Sequence, residues 1–88
     1  MSAAYDKLLT YVCVSLGFCG SVVDDQPLHV GQFLPETGTL TAEDFADALF
    51  KAEGLDPEGS TARRFRSNVR DAFVRHMGVS AIDASLLR

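Results

Sequence analysis

The chain has 88 residues, a formal net charge of −4 and an apolar content of 47%. That length implies one domain over residues 1–88 with a marginal core, because a chain of this size hides only about 60–65% of the surface its unfolded form exposes. The apolar share excludes global disorder, and the acidic balance argues against nonspecific nucleic-acid binding by the whole surface. The average conceals an asymmetry. Thr61–Met77 holds five of the eight basic residues against Asp71 alone, and the remainder carries eleven of the twelve acids.

Ser2 can cap a first helix in which Tyr5, Leu8, Leu9, Val12, Cys13 and Leu16 recur at helical spacing, ending between Gly17 and Gly20. Leu8–Val23 carries no charge, but it is short for a membrane span and is broken by Gly17 and Gly20. No basic stretch precedes it to form a signal peptide. Cys13 and Cys19, placed on one continuous helix, would point about 120° apart. A mutual disulfide is then disfavoured, and two reduced, metal-free thiols in a cytoplasmic protein are expected.

Residues 20–40 hold Pro27, Pro35 and three glycines and read as one irregular connection. Twenty-one structureless residues are too many for so small a domain, so Leu28, Val30, Phe33 and Leu34 are expected to fold back on the core. Phe33 and Leu34 are the expected self-association contact, since a marginal core gains from a second copy.

Thr41 caps a second helix, with Glu43 and Asp44 in its first turn and Phe45, Ala48, Leu49 and Ala52 on one face. Asp47 and Lys51 are spaced to pair, and Gly54 ends the helix. A third helix starts at Asp56-Pro57 or at Ser60 and runs to Met77, with Gly78 as terminator and Val79 closing against Val74. Ser80 and Asp83 suggest a capping box for a last short helix, with Ile82 and Leu86 facing inward. The sum is a mainly all-α domain of about four helices, with its one irregular connection between the first and second.

On the third helix, Phe65, Val69, Ala72, Phe73 and Met77 form the core arc. Arg63, Arg66 and Arg70 form a stripe beside it, and Asp71 and Arg75 are spaced to neutralise each other. The stripe either meets Glu43, Asp44 and Asp47 of the second helix or contacts an anion, and Arg66, nearest the core arc, is expected to be structurally paired. Asn68 is the helix's only residue suited to reading a base.

No nucleophile–base pair, phosphate loop or metal-ligand spacing emerges, so no cofactor, no metal and no catalysis are expected. A calcium loop from Asp25 to Glu36 fails because Pro27 and Val30 occupy positions that need a ligand and a glycine. His76 lies on the apolar arc and is expected to pack or to hydrogen-bond, and His29 has no evident nucleophile partner. The expected function is non-enzymatic binding of another protein, a second copy included. Anion or nucleic-acid binding through Arg63, Arg66 and Arg70 is the alternative, with no membrane association.

Overall fold

A computed structural model describes residues 3–18, 33–35 and 37–87. Among these residues the order is α1 (Ala3–Leu16), β1 (Thr39–Thr41), α2 (Ala42–Ala52), α3 (Ser60–Met77) and β2 (Ala81–Asp83), followed by a 3₁₀ turn over Ala84–Leu87. The described residues are mainly helical, with three α-helices and a two-stranded sheet.

α3 is the shared wall, packing against α1 on one side and α2 on the other. Its apolar arc supplies Ala62, Val69, Ala72 and Phe73, all buried, with Phe65 and Met77 packed at the margin. α1 adds Tyr5, Leu8 and Val12, and α2 adds Phe45, Ala46, Ala48, Leu49 and Phe50. Phe45 is the hinge pin of the core, edge-on to Tyr5 at 6.3 Å and tilted against Phe73 at 5.5 Å. Such ring pairs add to plain area burial.

α2 begins where its sequence places it. The Thr41 hydroxyl accepts from the Asp44 N–H, and the Asp44 carboxylate accepts from the Thr41 N–H, closing a capping box. α3 begins at Ser60 with Gly59 as its cap, not at Asp56-Pro57. The Asp56 carboxylate instead takes the Glu58 N–H, and the Gly59 N–H bonds the Asp56 carbonyl. Those bonds make a turn that delays the helix.

The last segment departs from its expectation of a fourth helix. Ala81–Asp83 is a strand pairing antiparallel with β1, Leu40 opposite Ile82, and the pairing extends through Ala42 N–H to Ser80 O and Ala84 N–H to Gly38 O. Asp83 caps the following turn, accepting from the Ser85 N–H and hydroxyl, and those bonds hold its carboxyl below the usual range. Leu86 is 65% exposed, not inward, whereas Ile82 does pack on the core. Gly78, at φ 81°, ends α3 through its N–H to Val74 O, but Val74 and Val79 are both exposed.

The thiols are a second correction. Cys13 is disulfide-bonded, and the chain has two cysteines. The expectation of reduced thiols assumed one helix running through both positions. α1 stops at Leu16, and Gly17 turns the chain at φ 82°, its N–H bonding Cys13 O and the Phe18 N–H bonding Val12 O. The helical angle therefore does not relate Cys13 to Cys19, which lies outside the described residues with Ser2, Leu28, His29 and Val30. No helix among the described residues is long and apolar enough to cross a membrane.

Candidate functional site: the charged seam and the trough beside it

The arginine stripe is not free as a set of three. α2 turns Glu43 and Asp47 toward α3, and Arg66 reaches between them. Its guanidinium donates to Glu43 Oε2 at 2.6 Å, to Asp47 Oδ1 at 2.7 Å and to the Pro57 carbonyl at 2.8 Å. It also lies over the Phe50 ring, 5.6 Å from the centroid. The Arg66 side chain is only 21% exposed. Arg70 donates to the other oxygen of Glu43 at 2.6 Å. Among the described residues the Arg63 side chain reaches only the Glu58 carbonyl, at 3.4 Å, and stays exposed.

Glu43 is thus shared by two cations. Burial alone would raise its pKa, but the hydrogen bonds and charges of Arg66 and Arg70 outweigh it and hold the carboxyl below its ordinary value. For Arg66, burial acts to lower the pKa and is outweighed by Asp47 and Glu43, which raise it. The seam carries two positive and two negative charges and cancels. It also clamps the α2–α3 connection through Pro57.

Two pairs read from spacing do not form. Asp47 bonds Arg66 and not Lys51, and Arg75 lies over the Tyr11 ring at 5.9 Å instead of meeting Asp71. Arg64 lies over the Phe65 ring at 5.7 Å. Among the described residues Arg64, Arg75 and Asp71 have no ion-pair partner. Helix spacing marks which residues can meet within α3; it carries no information about the aromatic rings that α1 brings alongside. The half-buried His76 donates from Nδ1 to Ala72 O at 2.9 Å and packs tilted against the Tyr11 ring, ring centres 5.1 Å apart. Among the described residues no cluster of His, Cys, Asp or Glu is arranged to hold a metal.

Phe33 and Leu34 stand beside α2. Leu34 packs on the core and Phe33 is 38% exposed. With Pro35 and Ala48 they line a trough of about 470 Å³ whose rim carries Asp44 and Asp47. A second depression of about 450 Å³ shares Asp47 and Lys51 with it and runs to Asp56 and Glu58. No family model, curated protein or solved structure matches this chain.

Proposed function

We propose that the protein is a non-enzymatic domain that binds another protein through the trough beside α2. The observation that carries this reading is the partial exposure of Phe33 at the end of an open trough floored by Leu34, Pro35 and Ala48. An aromatic ring standing next to apolar carbon, with a polar rim around it, has the composition of an interaction anchor. A second copy of the chain is the first partner to examine, because a domain of this size gains stability from pairing. The expected cytoplasmic location rested in part on reduced thiols. The Cys13 disulfide removes that ground, since disulfides persist in oxidising compartments.

The test replaces Phe33 with a photo-crosslinking phenylalanine analogue in the native host and, in parallel, in purified protein. The expected result is one discrete adduct from position 33 and none from the same analogue at exposed Asp6. An adduct of twice the chain mass in purified protein identifies the second copy. No adduct, or equal adducts from both positions, overturns the reading.

A further inference from the structure

We propose that the disulfide of Cys13 is a redox-controlled latch, which holds Phe18 in the core and frees it on reduction while the helices stay folded. The chain has one other cysteine, Cys19, so the bond ties the last turn of α1 to the residue that follows Phe18. The stretch leading up to Phe18 is an ordered helix ending. The Gly17 N–H bonds the Cys13 carbonyl at 3.1 Å and the Phe18 N–H bonds the Val12 carbonyl at 3.0 Å, with Gly17 at φ 82°. These two bonds form a Schellman motif, in which the residue after the glycine commonly packs back on the helix. Phe18 does more than that. It is 6% exposed and stands edge-on to Phe50 at 5.6 Å and to Phe65 at 5.5 Å. One ring therefore pins the end of α1 to both α2 and α3.

The ring's burial and two terminal hydrogen bonds have to offset the freedom of the chain beyond α1. The disulfide removes most of that freedom. With Cys19 tied to α1, Phe18 cannot leave without straining a short closed loop. Reduction restores the freedom and leaves burial and the two bonds as the restraint. The rest of the core does not depend on the latch. α1 also buries Tyr5, Leu8 and Val12, Phe45 joins Tyr5 to Phe73, and the Arg66 seam joins α2 to α3. Opening is thus confined to the end of α1, and it bares the sides of Phe50 and Phe65 that Phe18 covers.

The opening reaction needs a dithiol reductant. The S–S bond takes up two electrons and two protons, two protein thiols form, and the reductant leaves as its own disulfide. Cys13 lies in the last turn of α1, where the negative end of the helix disfavours a thiolate. That position makes the oxidised, closed form the resting state. The latch stays shut in oxidising surroundings and opens when the chain enters reducing ones.

The experiment is amide hydrogen exchange by NMR on the full chain at neutral pH, oxidised and then reduced with dithiothreitol. On reduction the Gly17 and Phe18 amides should exchange about 10- to 100-fold faster, as expected when a short loop is no longer closed. Leu49 of α2 and Phe73 of α3 should remain far more protected than Phe18, with circular dichroism unchanged. Cys13→Ala with Cys19→Ala should match the reduced chain with or without dithiothreitol. Unchanged exchange at Gly17 and Phe18 overturns the proposal, as does a double variant that matches the oxidised chain. A reduced chain in which Phe18 stays as protected as Leu49 and Phe73 also overturns it, because the ring would then leave only with global unfolding. So does loss of the helical signal on reduction, which would make the bond a plain structural staple.

Discussion

Arg66 and Arg64 are two residues apart on one helix and live in different chemical surroundings. Arg66 lies in the α2–α3 seam with two carboxylates and a carbonyl around it and the fully buried Phe50 beneath. Arg64 is exposed, with the face of Phe65 beside it. The same contrast separates Arg70, tied to Glu43, from Arg75, resting on Tyr11. A basic helix can thus be structural on one flank and available on the other. What sorts the arginines is the neighbouring element, not the number of charges.

The largest test of this contrast lies under the arginines. Phe50→Ala removes a ring with no exposed surface that meets Phe18 edge-on at 5.6 Å as well as Arg66. It should destabilise the chain by about 3–5 kcal/mol. Tyr11→Ala, beneath Arg75, should cost clearly less, because Tyr11 is only partly buried. Urea denaturation of both variants measures the difference, and equal losses would erase the distinction between the two flanks.

The arginines themselves give a smaller effect. Arg66→Ala leaves Glu43 and Asp47 without their shared partner and opens the contact with Pro57 O, a loss of about 1.5–3 kcal/mol. Arg64→Ala, on the exposed face, should stay within about 0.5 kcal/mol of wild type. Parallel denaturant midpoints decide this. Similar losses at both positions would show that the outer arginine is also structural.

The smallest effect is in pH. Glu43 has a lowered pKa when folded, so the folded state binds a proton there less readily than the unfolded chain does. Its contribution is therefore fully present above the unfolded value, about 4.3, and is lost as pH falls through the folded one. Glu43 is nearly half exposed, and solvent screening keeps the contribution to at most about 1 kcal/mol. Melting temperatures from pH 7 downward should fall less steeply in Glu43→Gln than in wild type. Parallel curves would show that Arg66 draws its stability from Asp47 and Pro57 alone.

Much of the helical architecture is written locally. The Thr41–Asp44 capping box, the acids of α2's first turn, Gly54 at φ 77° and Gly78 at φ 81° are short-range devices that work within a few residues of themselves. The core arc of α3 follows from period alone, and Phe65, Val69, Ala72, Phe73 and Met77 all lie on the packed side. Arg66's place beside that arc made its pairing with α2 legible as well.

Other features depend on residues brought together from far along the chain. Ala81–Asp83 offered a capping pattern for a helix, but β1, more than forty residues earlier, supplies a ladder of backbone hydrogen bonds that the pattern cannot match. The Asp71–Arg75 and Asp47–Lys51 pairs were sound within their own helices. They lost to Tyr11 of α1 and to Arg66 of α3, which only packing places nearby. Gly17 in the left-handed region ends α1 and removes the angle on which the reduced-thiol expectation stood. The sequence by itself determined the three long helical segments, the capping box of α2, the glycine stops and the apolar face of α3, because those arise from contacts within one or two turns. Which charges are spent in the seam, which remain on α3's outer face, and which segment becomes a strand were decided only by tertiary structure, because each depends on a partner from another element.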